Sequence, residues 1–252
     1  MIVGYFDGSE EPEGIREIIA VCGFIAPLEV WDVFDQRWQA VLSRPTWPTR
    51  LRRYHSFDCI HGMGEFADWS FAQRLAIYGE LVGVLLDSNL IAVGSVLVCK
   101  HFETLEAVVR NRLGNAYFLP VEHCIQAAIS KAKGSLPGEE IFLVFDVENR
   151  AVANESYARY KNYQTDPNWN ENLLGITQGS SYQFTSLQAA DLLAYGSFRY
   201  HKEYFAPSER ESEFPIIPAF SRLIQGIEAT GGIYERDALA TLVREIRARE
   251  GI

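Results

Sequence analysis

The chain has 252 residues, 48% of them hydrophobic and 22% charged, which is the balance of a globular protein with a sizeable core. Its formal net charge of −10 argues against a protein that coats nucleic acid through a broad basic surface. No segment reaches the roughly 20 apolar residues of a membrane helix, and the first residues lack the basic start of a secretory signal, so we expect a cytoplasmic protein with no membrane partner. The four scattered cysteines predict reduced thiols and no disulfide framework.

The first half of the chain predicts three strands and two helices. Continuous apolar runs predict the strands, and apolar residues three and four apart predict the helices. The first two strands are expected to pair antiparallel, and Pro45 and Pro48 forbid continuation of the first helix. In chain order the predicted elements are strands at 2–6 and 18–26, a helix at 28–42, a loop insertion at 44–69, a helix at 70–86 and a strand at 91–98.

The second half alternates strands with helices and ends in a helical extension. The apolar run that ends at Asp146 predicts a central strand covered on both sides. Thr185 and Gln188 have the spacing of a capping box and predict the start of a helix. The predicted elements are a helix at 119–132, a strand at 141–145, a part-helical loop insertion at 150–172, a strand at 173–176, a helix at 185–200, and C-terminal helices at 218–229 and 235–249 separated by Gly231 and Gly232.

This order of elements predicts the fold class. Early strands, a helical middle and then strand, helix, strand, helix are the order of an RNase H-like α/β domain. We therefore expect a single domain over residues 1–252, with a mixed sheet flanked by helices and a C-terminal helical extension at 218–250.

Two acidic residues follow apolar strands that this fold places side by side. Asp7 and Asp146 each stand at the carboxyl end of an apolar strand, where ligands collect in α/β sheets. Two carboxylates ~5 Å apart repel each other by roughly 3 kcal/mol at an effective dielectric of about 20. A cation or a shared proton is therefore expected between them.

A third acid is expected from the helix that begins near residue 185. Asp191 lies in a strongly apolar helix, where a lone charge is costly to bury, and Gln188 and Tyr195 share its face. Hard oxygen ligands favour Mg²⁺ or Mn²⁺, and a pair of such ions can drive phosphodiester cleavage. The three acids therefore predict a site for one of these metals.

Each of these residues also has a simpler interpretation. Asp7 and Gly8 form a common turn dipeptide, and Asp146 can cap the helix that follows it. Asp191 can hydrogen-bond a loop, and Gln188 can do no more than complete the capping box. The joint pattern of three acids is what favours a functional site.

Four short segments spread over most of the chain form a recognisable set. They are Tyr5-Phe6-Asp7, Tyr54-His55-Ser56-Phe57-Asp58, Leu143-Val144-Phe145-Asp146 and Gln188-Ala189-Ala190-Asp191. The set resembles a bacterial and phage family known as domain of unknown function 3800, in which a strand ending Tyr-x-Asp-Glu-Ser-Gly, a His segment, a strand ending in Asp and a Gln-x-Ala-Asp helix occur in this order. The resemblance implies the RNase H-like fold, and three of its motifs end in the three acids named above.

The opening motif departs from that family. The residues after Asp7 are Gly8-Ser9-Glu10, where the family has Glu-Ser-Gly, so a second acid is missing or displaced to Glu10. Glu148 lies two residues after Asp146 and on the same side if the strand continues, so it is a candidate to replace that acid. The alternative is a solvated Glu148.

His55 and the basic segment before it are candidate substrate-facing groups. A histidine with a carboxylate such as Asp58 nearby can orient or protonate a phosphate. The segment 44–54 combines basic and aromatic residues, a composition that contacts phosphates and stacks on bases. A surface histidine and a solvated loop are the alternatives. The predicted substrate-binding residues are Arg50, Arg52, Arg53 and Gln188.

These observations favour a metal-dependent phosphodiesterase or nuclease, a hydrolase that uses Mg²⁺ or Mn²⁺ and acts on nucleic acid. The predicted metal ligands and catalytic residues are Asp7, Asp146 and Asp191, with Glu148 and His55 in supporting catalytic roles. A catalytically inactive RNase H-like module that binds nucleic acid or a protein partner is the alternative, which Gly8 favours. A third interpretation is a hydrolase of small phosphorylated molecules, which the acidic composition suits better than duplex DNA.

Overall fold

The structure, a computed structural model, describes residues 1–11, 16–135, 138–165, 172–206 and 214–250. Within these ranges the chain forms one six-stranded mixed sheet with helices packed on both faces. The strands are β1 (Ile2–Glu10), β2 (Ile18–Pro27), β3 (Ile91–Val98), β4 (Ile141–Asp146), β5 (Leu173–Gly179) and β6 (Glu228–Tyr234). The helices are α1 (Leu28–Leu42), α2 (Ser56–His61), α3 (Phe71–Leu86), α4 (Cys99–Glu103), α5 (Ala107–Leu113), α6 (Phe118–Ser135), α7 (Arg150–Tyr163), α8 (Thr185–Phe205), α9 (Ile216–Gly226) and α10 (Arg236–Glu250).

The order of the strands across the sheet is β5-β4-β1-β2-β3-β6. The first three strands pair antiparallel with their sequence neighbours, whereas β4 pairs parallel with β1 and β5 pairs parallel with β4. An additional strand, β6, pairs parallel with β3 at the opposite edge. Three antiparallel strands extended by parallel strands beside β1 are the RNase H-like arrangement, so the predicted fold class is confirmed.

Side chains alternate between the two faces of the sheet, and each face has its own apolar core. Tyr5 of β1 and Val144 of β4 belong to the core beneath α1, α3, α8 and α9. The opposite core lies beneath α6, α7 and α10. The parallel register pairs Tyr5 with Val144. Two residues further along each strand stand Asp7 and Asp146, which therefore project to the α8 side of the sheet.

The segment 44–69, predicted as a loop, contains helical turns. The six-residue helix α2 and a 3-10 helix at Gly64–Phe66 lie within it. Helices this short do not display an apolar repeat, which is why the sequence pattern does not reveal them. Gly62 ends α2 in the left-handed region with a φ of 65°. In the predicted insertion at 150–172, α7 occupies Arg150–Tyr163, and residues 166–171 lie outside the described ranges.

The predicted capping box at the start of α8 is wrong. Phe184 occupies the N-cap position and makes no side-chain cap hydrogen bond. Gln188 is buried, and its side-chain oxygen accepts hydrogen bonds from Trp38 and Tyr54 instead. The Gln188 side chain thus binds distant parts of the chain and does not cap the start of its own helix.

The C-terminal region is not purely helical, so the prediction for 218–250 is partly wrong. Helices α9 and α10 occupy the predicted places, but β6 lies between them and contains Gly231 and Gly232. A Cβ atom on Gly231 would lie 2.4 Å from the carbonyl oxygen of Gly94 in β3, so only glycine fits here. A glycine-rich edge strand shows no apolar alternation. This is why the sequence pattern predicts a break between two helices here and misses β6.

The cysteines agree with the sequence prediction. Cys22, Cys59, Cys99 and Cys124 are buried and free of disulfides, as predicted. None of the described helices is long and apolar enough to cross a membrane.

Candidate functional site

Asp7, Asp146 and Asp191 line one cavity of about 630 Å³ beside the carboxyl end of β4. Two supporting residues predicted from the sequence, His55 and Glu148, line the same cavity. The structure therefore brings all five predicted catalytic residues to one place. The four predicted substrate-binding residues are not among those that line it.

A second cavity of similar size differs in its chemistry. It has a volume of about 610 Å³ and lies between α8, α9, β3 and β6, with Cys22, Leu193 and Phe220 among its walls. None of the residues that line it is acidic. The first cavity is the one that carries charged groups suited to catalysis.

The register of β1 and β4 explains why the first two acids meet. The parallel pairing of these strands ends with Phe6 opposite Phe145, so Asp7 and Asp146 are the next residues on adjacent strands. Asp7 is not at the end of its strand, because β1 continues to Glu10 and pairs Asp7 with Cys22 of β2. Asp191 comes from α8, which packs on the same face of the sheet.

Backbone amides hold one oxygen of each carboxylate. The amides of Gly8 and Glu148 donate to Asp7 Oδ1 and Asp146 Oδ1 at 2.6 and 2.7 Å. The amide of Ser56 donates to Asp191 Oδ2 at 2.6 Å. Among the described residues, the second oxygens of Asp7 and Asp146 have no hydrogen-bond partner, so they remain available to a ligand.

Burial makes all three acids harder to ionise, and neighbouring carboxylates add to this effect at Asp7 and Asp146. Burial raises the pKa of Asp7 well above its usual value, and the negative charges of Asp146 and Asp191 raise it further. Burial raises the pKa of Asp146 to about 6, although its hydrogen bond from Glu148 lowers it. Burial also raises the pKa of Asp191, against the opposing effect of nearby His55. A cluster of buried carboxylates with raised pKa values favours binding of a proton or a cation.

The donor set fits a hard divalent cation, but the side chains are not closed around one. Three carboxylates from separate elements face one cavity and repel each other, which is the chemistry that Mg²⁺ or Mn²⁺ relieves. In the described part of the chain, no group of three His, Cys, Asp or Glu side chains is placed to hold a metal ion.

Gln188 and Asp191 together clamp the segment that carries His55. They lie one turn apart on α8, and their side-chain oxygens accept the amides of Tyr54 and Ser56 at 2.9 and 2.6 Å. In an extended segment the amides of residues two apart point the same way, so one helix face can bind both and hold the backbone on either side of His55. This arrangement gives the Gln-x-x-Asp spacing a physical reason: it places His55 at the cavity.

His55 has a carboxylate beside it, as the sequence predicted. Asp58 Oδ2 lies 3.1 Å from His55 Nδ1, and His55 occupies the N-cap position of α2. A carboxylate at one ring nitrogen leaves the other nitrogen to meet a ligand. The ring lines the acidic cavity and also a smaller neighbouring one.

The predicted substrate-binding residues have different surroundings. Arg53 Nη1 donates to both carboxylate oxygens of Glu148 at 2.6 and 2.8 Å and to Ser181 Oγ at 2.9 Å. Arg52 is exposed and pairs with Glu65, and Arg50 is exposed. Arg53 therefore lies in the wall of the smaller cavity beside the acidic one, where it is paired with Glu148.

Gln188 was predicted to bind substrate, but it is a core residue. It is 1% exposed, and its amide nitrogen donates to the carbonyl oxygen of Ser181 at 2.8 Å. With Trp38 and Tyr54 on its side-chain oxygen, every polar atom of the side chain is used inside the protein. It supports the site from behind and does not face the cavity.

Gly8, the residue after Asp7, is tightly packed. A Cβ atom at this position would lie 2.6 Å from Val152 Cγ2 and 2.8 Å from Asn149 Nδ2 at the start of α7. Asn149 caps α7 by accepting the amide of Val152 and donates to the carbonyl oxygen of Gly8. A glutamate could not be built at this position without moving α7.

We expect Gly8→Ala to lower the free energy of unfolding by about 1–3 kcal/mol, because the added methyl group overpacks against the buried Val152. Urea denaturation measures the change. Gly79→Ala is the matched control, since a Cβ atom there has nothing within 4 Å and a helical alanine stabilises by about 0.5–1 kcal/mol. Equal stability of the Gly8→Ala variant and the wild type would contradict the packing.

The fold and the cavity define an RNase H-like α/β domain with a carboxylate cluster beside its central parallel strands. Comparison with models of known protein families finds no matching family, and comparison with curated proteins finds no similar protein. Function is therefore argued from the cavity itself.

Proposed function

We propose that this chain is a divalent-metal-dependent phosphodiesterase of the RNase H-like type that hydrolyses nucleic acid in the cytoplasm. We also propose that it is a member of the domain of unknown function 3800 family. The observation that carries the proposal is the convergence of Asp7, Asp146 and Asp191 on one cavity from β1, β4 and α8. Their raised pKa values support it, because such a cluster is relieved by a bound cation.

Asp7, Asp146 and Asp191 would hold Mg²⁺ or Mn²⁺ through their carboxylate oxygens. When bound, such an ion supplies the Lewis acidity that attack of water on a phosphodiester requires. The backbone amides that fix one oxygen of each acid limit their rotation and orient the other oxygen. Glu148 is less suited to this role because Arg53 already binds both of its oxygens.

His55 is the residue best suited to handle a proton. It lines the cavity next to Asp191, and Asp58 Oδ2 lies 3.1 Å from its Nδ1. The nitrogen on the other side of the ring, Nε2, would then deliver a proton to a leaving oxygen or hold one from water. The clamp from Gln188 and Asp191 keeps the backbone on both sides of the ring in place.

The first test is thermal melting with Mn²⁺ as a function of pH. Asp146 has its pKa raised to about 6, so its carboxylate is largely protonated at pH 5 and ionised at pH 8. We expect Mn²⁺ to raise the melting temperature at pH 8 and to have little effect at pH 5. The increase should disappear in Asp146→Asn and persist in the exposed control Asp68→Asn. An increase of the same size in Asp146→Asn would count against this site.

The second test is a panel of labelled substrates with Mg²⁺ or Mn²⁺. Cleavage of single-stranded DNA, RNA or a DNA–RNA hybrid would support the proposal. Hydrolysis of bis(p-nitrophenyl) phosphate without cleavage of any nucleic acid would instead favour a hydrolase of small phosphoesters. Metal binding without hydrolysis of any of them would overturn the proposed activity.

A catalytically inactive RNase H-like module is the second candidate. One observation favours it: Gly8 stands where the domain of unknown function 3800 family has an acid, and α7 closes in on it. Such a module would bind nucleic acid at the same cavity rim and hydrolyse nothing. The substrate panel separates it from the enzyme.

A further inference from the structure

Tyr182 has an unusual position beside the acidic cavity. Its side chain is 53% exposed, and the guanidinium carbon of Arg53 lies 4.2 Å from the centre of its ring. Since Arg53 covers one face of the ring while more than half of the side chain is exposed, the opposite face is open to solvent. The residue before it, Ser181, lines the acidic cavity.

Hydrogen bonds fix both the turn that carries Tyr182 and the arginine that packs on its ring. The amides of Gln183 and Phe184 both donate to the carbonyl oxygen of Ser180, which closes the turn around Tyr182. Arg53, which supports the ring, is fixed by Glu148 and Ser181. An exposed aromatic ring with this much support loses little conformational entropy when a ligand packs on it.

A small cavity lies between this ring and His55. It has a volume of about 300 Å³, and Tyr182, Arg53 and Arg52 lie in its wall. His55 lines both this cavity and the larger one that contains the three aspartates. The two cavities are therefore neighbours on either side of His55.

We propose that Tyr182, backed by Arg53, is a stacking platform for one unpaired nucleobase next to the carboxylate cluster. The inference rests on the proposed function for the position of the phosphate, which would lie among the aspartates. Bases of single-stranded nucleic acid stack on exposed aromatic rings with little sequence preference. A base inside a duplex has both faces covered, so the platform selects single-stranded or locally unpaired nucleic acid.

The test compares two labelled 12-residue oligonucleotides by fluorescence anisotropy in the presence of Ca²⁺. One is oligothymidylate, and the other has the same phosphates and sugars but no bases. We expect the wild type to bind oligothymidylate about ten-fold more tightly than the abasic strand, as one stacked base implies. Tyr182→Ala should lose that preference, and Tyr182→Phe should keep it, because the phenyl ring still stacks.

Tyr157 provides a matched control elsewhere on the surface. It is also 53% exposed and has a cation at its ring, with Lys161 Nζ 4.7 Å from the centre, but it lines neither cavity. Tyr157→Ala should therefore bind like the wild type. The inference is overturned if the wild type binds both strands equally or not at all, or if Tyr182→Ala keeps the preference for bases.

Cleavage assays on the same proteins keep this inference separate from the proposed function. A Tyr182-dependent base preference in a protein that cleaves nothing supports the platform and contradicts the hydrolase. Metal-dependent cleavage by a protein whose base preference does not depend on Tyr182 supports the hydrolase and contradicts the platform. In an active protein, Tyr182→Ala should raise the KM for oligothymidylate more than the KM for the abasic strand.

Discussion

Asp7→Asn is expected to reduce metal-dependent phosphodiester cleavage by about 10³-fold, on the order of the loss seen when a group that stabilises transition-state charge is removed. The amide retains an oxygen that can accept the hydrogen bond from Gly8, so the local geometry is preserved. What the variant loses is the negative charge that a cation requires. Single-turnover cleavage of a labelled oligonucleotide with Mn²⁺ measures the effect.

The same substitution should not weaken the fold, which separates a catalytic effect from unfolding. The pKa of Asp7 in the folded protein is raised well above its usual value of 3.8. In the metal-free protein the free energy of unfolding therefore falls as the pH rises from the pKa of Asp7 in the unfolded chain to its pKa in the folded protein. Asn at this position has no charge to lose. We therefore expect Asp7→Asn in EDTA to melt at or above the wild-type temperature at pH 8, with a smaller difference at pH 4.

Asp68→Asn is the matched control for charge, since Asp68 is exposed and lies outside the cavity. It should cleave at the wild-type rate. Full activity of Asp7→Asn would mean that the three carboxylates do not form the catalytic centre. Loss of activity together with a large drop in melting temperature would mean that Asp7 acts through the fold.

Gln188→Leu is expected to destabilise the protein by about 3–6 kcal/mol, a large fraction of the stability of an ordinary domain. The substitution leaves the indole nitrogen of Trp38, the amide of Tyr54 and the carbonyl of Ser181 without partners in the core. Each buried group left unsatisfied costs about 1–3 kcal/mol, although the three groups share one side chain and need not add fully. Urea denaturation followed by circular dichroism measures the loss.

Gln183→Leu is the matched control, because Gln183 is exposed on the turn before α8. It should change the free energy of unfolding by no more than about 0.5 kcal/mol. If Gln188→Leu changes the free energy of unfolding by as little as this, the hydrogen bonds of Gln188 do not stabilise the packing of α1 and the 54–56 segment against α8. Any Gln188→Leu protein that remains folded should also lose activity, because His55 is no longer held from behind.

The fold could be predicted from the sequence because the sheet is encoded locally. Apolar runs at β1, β2, β3 and β4 bury their side chains on one or both faces, and α1 and α3 show the apolar spacing of half-buried helices. These signals do not depend on distant contacts. The exceptions are short or glycine-rich elements, such as α2 and β6, which contain too few apolar residues to form a pattern.

The sequence also locates the three acids but not their surroundings. Asp7 and Asp146 come directly after apolar runs, and Asp191 is a lone charge in an apolar helix, so each is conspicuous in the printed sequence. Tyr182 is not conspicuous, since an exposed aromatic residue in a turn is common. Its position just after β5 could have identified it, because residues that follow parallel strands gather at the same edge of the sheet.

Alternation and apolar spacing along the chain therefore decide which segments become strands or helices and which acids can face a common crevice. Only the tertiary structure decides which polar groups pair with each other. Gln188 binds Trp38 and Tyr54, and Arg53 binds Glu148, across separations of 95 to 150 residues. Such pairings depend on how the helices pack against the sheet, and a hydrogen-bonding side chain carries no mark of its distant partner in its local sequence.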